Sequence, residues 1–235
     1  MTPRRMARET HGHERVLLEA IADDALLLRI GDRIDAKTNA RVRALCERIR
    51  SRRPAWLRDL VPAYASAGVF FDALLIDASE AEAWLRDQLA ALPSDASLAT
   101  ATARIVDIPV VYGGEAGPDL ESAAAELGIT ASQLAQRHAA GEYTVAMIGF
   151  APGFPYLLGL DPALALPRLA SPRTSVPAGS VGIGGAQTGI YPRESPGGWR
   201  LIGRTPLVLF DPTQEPPALL TPGDRVRFVA VDGQA

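Results

Sequence analysis

The fold is decided by Gly149 to Asp211, which reads GFAPGFPYLLGLDPALALPRLASPRTSVPAGSVGIGGAQTGIYPRESPGGWRLIGRTPLVLFD. Eleven of the chain's 21 glycines lie in this stretch, interleaved with prolines, and a helix does not tolerate that density of either residue. The stretch is also too apolar for a disordered linker, and its aromatic residues supply packing area. It therefore predicts a folded, loop-rich surface of the kind that builds a pocket or a docking face.

The second half of the chain predicts strands and loops with one helical interruption. A strand is indicated at Arg104–Val111, and from Tyr143 onward short apolar runs alternate with turns. Between them, Thr130 begins a capping box, which is typical of a helix start. We therefore predict a closed or nearly closed β-barrel domain over residues 98–235, with a helical insertion near residues 118–139.

The first part of the chain predicts a smaller α+β domain over residues 15–97. Strand-like and helix-like runs follow one another as two ββα units, and Asp35 and Ser79 are placed to cap the two helices. This order favours an antiparallel sheet with both helices on one face. The turn-rich run Leu92–Ser97 marks the division between the domains, and residues 1–14 are predicted to form a disordered tail.

Composition excludes several classes of function. A net charge of −3 provides no electrostatic footprint for nucleic acid or an anionic membrane. No run approaches the roughly 20 apolar residues that span a bilayer, and no secretory signal is evident, so we expect a cytoplasmic protein. The single cysteine, Cys46, is predicted to be a core thiol, and no cluster of residues predicts a metal site.

The sequence partly matches two catalytic motifs but lacks residues that each of them requires. Gly182–Gly189 is rich in glycine, but the lysine and hydroxyl residue that a phosphate-binding loop needs are absent. Ser180 lies one residue change away from a nucleophile-elbow pattern. His138 precedes it, so the chain order of an α/β-hydrolase triad is not available, and neither motif is adopted.

Polar and aromatic residues of the glycine-rich loops indicate a site for a small anionic molecule. Arg173 is held between prolines, so its guanidinium is suited to bind a carboxylate through two hydrogen bonds. His138 lies near a helix end, where the helix carbonyls would stabilise its imidazolium and the ring could point toward the pocket loops. The alternatives are a surface salt bridge for Arg173, a core position for Trp199 and a structural role for His138. The predicted substrate-binding residues are Arg173, Gln187, Thr188, Tyr191, Ser195 and Trp199.

Several blocks of this half of the chain resemble one known family. The blocks, in order, are GFAPGFPYL (149–157), PR-x-x-VPAGSVGI (172–183), QTGIYP (187–192), SPGGW (195–199) and IGRTP (202–206). They resemble the family of 5-oxoprolinase B-type subunits, also called allophanate hydrolase subunit 1 or the KipI family. The resemblance implies a cyclophilin-like barrel for the second half of the chain, and it implies His138 as the catalytic residue for proton transfer.

The resemblance also implies an activity and partners. It implies the B-type subunit of an ATP-dependent 5-oxoprolinase complex that converts 5-oxoproline to glutamate, inactive without its A-type and C-type subunits. The C-type subunit resembles allophanate hydrolase subunit 2, and ATP would act at the level of the complex. Two alternatives within the family are a KipI-like inhibitor of a sensor histidine kinase and a component of a urea carboxylase or allophanate hydrolase system. Peptidyl-prolyl isomerase activity would follow only from the implied barrel.

Overall fold

The computed structural model describes residues 16–93 and 103–232. We call these two ranges the N-terminal unit and the barrel unit. The predicted tail (residues 1–14) and the predicted division at residues 97 and 98 lie outside the described residues. No helix in the described ranges is long and apolar enough to cross a membrane.

The N-terminal unit is one antiparallel sheet covered by two helices. The strand order in the sheet is β1-β2-β4-β3, and the chain order is ββαββα as predicted. The elements are β1 (Leu17–Ala22), β2 (Ala25–Arg29), α1 (Ala36–Arg52), β3 (Leu57–Pro62), β4 (Ser66–Phe71) and α2 (Ala78–Ala90).

Both helices of this unit begin at an aspartate. The Asp35 carboxylate accepts a hydrogen bond from the Thr38 backbone N–H at 2.8 Å, so the predicted cap of α1 is present. The prediction for α2 was wrong by two residues, because Asp77 and not Ser79 is the cap. Asp77 forms a capping box with Glu80, and the Ser79 hydroxyl donates to the Asp77 carboxylate.

The core of the N-terminal unit lies between the sheet and the helices. Alternate residues of β2 and β4 meet the apolar stripe of α1, where Cys46 is fully buried. Burial raises the pKa of the Cys46 thiol to about 11, so the thiol stays protonated and behaves as a small apolar side chain.

The barrel unit contains a closed barrel of seven strands in the order β10-β7-β6-β13-β5-β12-β9, which confirms the predicted closure. Strand β13 pairs parallel with β5, and the other neighbours are antiparallel. Strands β8 and β11 form a separate two-stranded ribbon. The elements are β5 (Ile105–Tyr112), α3 (Leu120–Glu126), α4 (Ala131–Ala139), β6 (Tyr143–Ile148), β7 (Pro155–Leu158), a 3-10 turn (Pro162–Leu164), β8 (Arg173–Val176), β9 (Ser180–Gly184), β10 (Gln187–Ile190), β11 (Ser195–Gly197), β12 (Arg200–Arg204) and β13 (Arg225–Ala230).

The helical insertion packs on the barrel close to its predicted position. Gly128, at φ 69°, follows α3 and supplies the left-handed conformation that ends a helix. The Thr130 hydroxyl and the Gln133 side chain form the predicted reciprocal capping box at the start of α4. Helix α4 contacts β13 and ends just before β6, so its last turn lies against the barrel interior.

One buried amide joins the two units. The Asn39 Nδ2 group of α1 donates to the carbonyl oxygens of Ala63, Tyr64 and Ala146 at 3.2–3.3 Å. Ala63 and Tyr64 belong to the β3–β4 turn, whereas Ala146 belongs to β6 of the barrel. The amide therefore holds that turn against the barrel, and the ring of Tyr64 lies 5.9 Å from that of Tyr156.

Candidate functional site

The glycine-rich loops enclose a small aromatic pocket of about 150 Å³ beside the β8–β11 ribbon. This volume is below the roughly 300–1,000 Å³ of pockets for drug-sized ligands, so the pocket suits a small metabolite. Two predicted residues, Tyr191 and Trp199, line it. Its other aromatic and charged lining residues are Phe150, Phe154, Tyr156 and Arg168.

The aromatic rings form a fixed bed with Phe154 at its centre. The Phe154 ring centroid lies 4.9 Å from that of Tyr156, 5.2 Å from Tyr191 and 5.5 Å from Trp199, and the Tyr191 and Trp199 contacts are edge-to-face. These are the separations at which aromatic pairs attract one another. Phe154 is only 2% exposed, so the rings around it form a packed aromatic wall of the pocket. Ring surface on the pocket side of this wall is accessible to a ligand.

Phe150 forms the exposed rim of this pocket. Its side chain is 61% exposed and its φ is +67°, a left-handed conformation that costs an L-residue with a bulky side chain free energy. The ring nevertheless contacts Phe154 edge-to-face at a centroid distance of 5.3 Å. Backbone strain of this kind is typical of ligand-contacting loops.

Arg168 also lines the pocket, and the sequence analysis did not name it. Its guanidinium carbon lies 6.0 Å from the centre of the Trp199 ring, and no described residue forms an ion pair with it. Burial raises the pKa values of Tyr156 and Tyr191, and the positive charge of Arg168 opposes both shifts, which places it near their hydroxyls. Arg168 follows Pro167, the same signal that singled out Arg173, so the pattern contained both arginines.

Arg173 is committed to a carboxylate of the protein. Its Nη2 donates to Asp119 Oδ1 at 2.6 Å, while Asp119 Oδ2 accepts the backbone N–H of Leu201 at 2.7 Å. The salt bridge considered as an alternative is therefore present, and it joins β8 and β12 through the residue before α3. Arg173 Nη1 is buried, with no hydrogen-bond partner among the described residues.

His138 lies inside the barrel, fully buried, with both ring nitrogens engaged. Nδ1 is 2.8 Å from the Tyr112 hydroxyl and Nε2 is 2.9 Å from Thr188 Oγ1. Thr188 has one hydroxyl hydrogen, which it donates to the Gly182 carbonyl at 2.9 Å, so it accepts from His138. The network thereby assigns a neutral imidazole with its hydrogen on Nε2, and Tyr112 donates to Nδ1.

The expectation that the helix end would hold His138 as an imidazolium is not met. Desolvation lowers the pKa of His138 to about 3, and no carboxylate of the described residues hydrogen-bonds to the ring to oppose that shift. The imidazole does not line the aromatic pocket. Its predicted role in proton transfer stays a prediction, now for a ring enclosed in a hydrogen-bond network.

The remaining predicted residues are distributed around the pocket. Gln187 lines a wider cleft of about 560 Å³ between the two units, and Arg168 borders both cavities. Thr188 is buried against His138. Ser195 lies on β11 opposite Val176, with its hydroxyl buried and lacking a hydrogen-bond partner among the described residues. The structure thus brings Tyr191 and Trp199 together, with the other predicted residues behind or beside them.

Neither of the rejected motifs gains support from the structure. Gly182–Gly189 spans the β9–β10 hairpin, whose strands also pair with β12 and β7, so its backbone amides serve the barrel and do not fit a nucleotide phosphate. The Ser180 hydroxyl is buried. His138 is the histidine within the described ranges, and its two ring nitrogens are already hydrogen-bonded to Tyr112 and Thr188. Within residues 16–93 and 103–232, no group of three or more His, Cys, Asp or Glu could hold a metal ion.

Solved structures share this architecture. The structure of TTHA0988 matches with a TM-score of 0.78 at 39% identity, covering 89% of this chain and 40% of that longer chain. The K. lactis urea amidolyase matches with a TM-score of 0.71 over 92% of this chain and 15% of that chain. Identity to the second structure is 20%, so that likeness concerns the fold alone.

Sequence comparisons assign the family. Residues 16–220 match the model of the carboxyltransferase domain, subdomain C and D. The 5-oxoprolinase B-type subunit of Bacillus subtilis (strain 168) is 43% identical over 224 residues, which cover 92% of this chain and 93% of that protein. The chain therefore belongs to the family of 5-oxoprolinase B-type subunits.

Proposed function

We propose that this chain is the B-type subunit of an ATP-dependent 5-oxoprolinase complex, which converts 5-oxoproline to glutamate and needs A-type and C-type subunits for activity. The supporting relative, 43% identical along almost its whole length, carries that name. The observation that carries the proposal is the small aromatic pocket, which presents a flat ring surface beside a guanidinium with no ion-pair partner among the described residues.

The chemistry of the reaction favours a division of labour between subunits. The amide of an unstrained lactam is a poor electrophile, and ATP would supply activation by phosphoryl transfer. The glycine-rich hairpin of this chain does not fit the phosphates, because its amides are paired within the barrel. We therefore assign this chain the work of binding and orienting the lactam and assign the nucleotide to a partner.

The residues of the site take different parts in this proposal. Tyr191 and Trp199 contact the ring of the substrate, and Gln187 faces the adjoining cleft from which a partner or a second reactant would approach. Arg173 holds its loop through Asp119. His138 stays the predicted residue for proton transfer, although neither its ring nor the Thr188 hydroxyl lines the pocket.

Reconstitution tests the proposal directly. The chain is co-expressed with its A-type and C-type subunits, and 5-oxoproline-dependent ATP hydrolysis and glutamate formation are measured with each subunit omitted in turn. We expect activity only when this chain is present. Undiminished turnover in its absence would overturn the proposal, and full turnover by His138→Gln would remove the proton-transfer role while leaving the assignment to the complex intact.

A urea carboxylase or allophanate hydrolase system is the second candidate. It is favoured by the family model, whose description is a carboxyltransferase domain, and by the fold shared with urea amidolyase. The same reconstituted complex is supplied with urea or allophanate in place of 5-oxoproline. Turnover of either compound in preference to 5-oxoproline would favour this candidate.

A further inference from the structure

Among the described residues that line the aromatic pocket, Arg168 is the only charged one. Most other arginines of the barrel unit, though not Arg193 and Arg204, form ion pairs with carboxylates, as in the pairs Arg173–Asp119, Arg200–Glu126 and Arg227–Asp107. Arg168 is exposed and forms no such pair within the described ranges. Its charge is thus available to a ligand in the pocket.

The backbone on both sides of Arg168 is fixed. The carbonyl of Pro167 accepts from the Arg200 side chain at 3.3 Å, and the N–H of Leu169 donates to the Gly198 carbonyl at 2.7 Å. These two bonds attach the segment to β12 and to the loop that carries Trp199. An arginine on an anchored backbone loses less conformational entropy when it binds an anion than one on a mobile loop.

The surroundings of Arg168 favour a planar ligand with one negative group. The Trp199 ring lies 6.0 Å from the guanidinium carbon, and Tyr156 lies 5.8 Å from Trp199 on the same wall. A flat ring placed on these aromatic residues would direct a substituent toward the guanidinium, whose forked donors match the two oxygens of a carboxylate. A pocket of about 150 Å³ limits the ligand to the size of a single small ring.

We propose that Arg168, and not Arg173, recognises the carboxylate of a small cyclic amide bound in the aromatic pocket. Arg173 pairs with Asp119 through Nη2 at 2.6 Å, its remaining Nη1 is buried, and no part of it lines the aromatic pocket. The inference rests on the proposed function, because 5-oxoproline is a five-membered lactam that carries one carboxylate. Arg168 would then be the residue by which the protein distinguishes this substrate from a neutral lactam.

The test compares two lactams that differ only in the carboxylate. Binding of 5-oxoproline and of 2-pyrrolidinone to the full chain, alone and with its partner subunits but without ATP, is measured by calorimetry. The variants are Arg168→Gln, Arg168→Lys and Arg173→Gln, with Arg86→Gln as a control for the loss of an exposed arginine on α2. Circular dichroism verifies that each variant is folded.

The wild-type chain should bind 5-oxoproline more tightly than 2-pyrrolidinone by about tenfold to a hundredfold, the usual contribution of hydrogen bonds to a charged group. Arg168→Gln should abolish that preference by weakening only the acid. Arg168→Lys should retain part of it, since lysine keeps the charge and loses the fork. Arg86→Gln should bind as the wild type does. In the active complex, Arg168→Gln should raise KM for 5-oxoproline more than it lowers kcat.

The outcomes separate the inference from the proposed function. If Arg168→Gln keeps the full preference for the acid, or weakens both lactams equally, the inference is wrong while an active complex still supports the function. If Arg173→Gln alone removes the preference in a folded protein, the carboxylate belongs to Arg173. If the wild-type chain binds neither lactam, alone or in the complex, the inference is overturned, and an inactive complex would overturn the function with it.

Discussion

Replacing Asp119 with alanine should destabilise the barrel unit strongly, because one carboxylate serves two partners. The Asp119 side chain is 10% exposed, and its carboxylate accepts from the Arg173 guanidinium and from the Leu201 N–H. Leaving a buried N–H unpaired costs about 1–3 kcal/mol. The lost ion pair adds about 1–2 kcal/mol, less than for a fully buried pair, because the Arg173 side chain is 29% exposed. We expect a total of about 3 kcal/mol.

Equilibrium unfolding in urea measures this loss as a shift of the midpoint at constant m-value. The matched control is Asp107→Ala, which removes the carboxylate of the exposed Asp107–Arg227 pair on the same barrel and should shift the midpoint far less. Adding Arg173→Met to Asp119→Ala should recover about 1 kcal/mol, since it removes the uncompensated cation. The reasoning fails if Asp119→Ala is no more destabilising than Asp107→Ala.

Three further predictions concern other parts of the site. His138 is neutral in the fold because burial lowers its pKa to about 3, so its contribution to the free energy of unfolding is complete above pH 6.5 and is lost as the pH falls toward 3. Between pH 7 and pH 5, the free energy of unfolding measured in urea should fall by about 2 kcal/mol more for the wild type than for His138→Gln. Tyr64→Phe removes a buried hydroxyl that has no hydrogen-bond partner among the described residues and should leave thermal stability unchanged or raise it by about 1 kcal/mol; a clear loss would mean that the hydroxyl is bonded. Phe150→Gly should remove the backbone strain of the positive φ, and this gain in stability should largely offset the loss of the ring contacts. The same change should weaken 5-oxoproline binding measured by calorimetry, and an affinity equal to that of the wild type would exclude Phe150 from the site.

The parts of the fold that sequence predicted are those with local causes. The capping box of Thr130 and Gln133 depends on residues three positions apart, and it forms as expected. The cap of α2 was misplaced because aspartate and serine are both favoured at the start of a helix, and only the capping box of Asp77 with Glu80 decides between them. The parallel pairing of β13 with β5 joins strands about 120 residues apart and leaves no local pattern.

The same contrast applies to the candidate site. Tyr191 and Trp199 could be named because aromatic residues supply most of the packing area in a glycine- and proline-rich stretch. Both are nearly buried in one hydrophobic cluster, so the core position considered for Trp199 is present together with its place in the pocket wall. Arg168 and Arg173 each follow a proline, and what distinguishes them is Asp119, which is 54 residues from Arg173 in the chain. The enclosure of His138 likewise depends on Tyr112 and Thr188, which come from distant strands. Hydrogen-bond and ion-pair partners from distant parts of the chain therefore decide which polar side chains remain available to a ligand.

The placement of the three tryptophans makes intrinsic tryptophan fluorescence a possible probe of the aromatic pocket. Trp56 and Trp84 contact each other edge-to-face at 5.1 Å in the N-terminal unit, whereas Trp199 lies in the wall of the aromatic pocket. Phenylalanine at both of the first two positions would leave a single indole whose emission colour and intensity respond to whatever enters beside it. Occupancy could then be followed in real time, without a label, during each step of assembly.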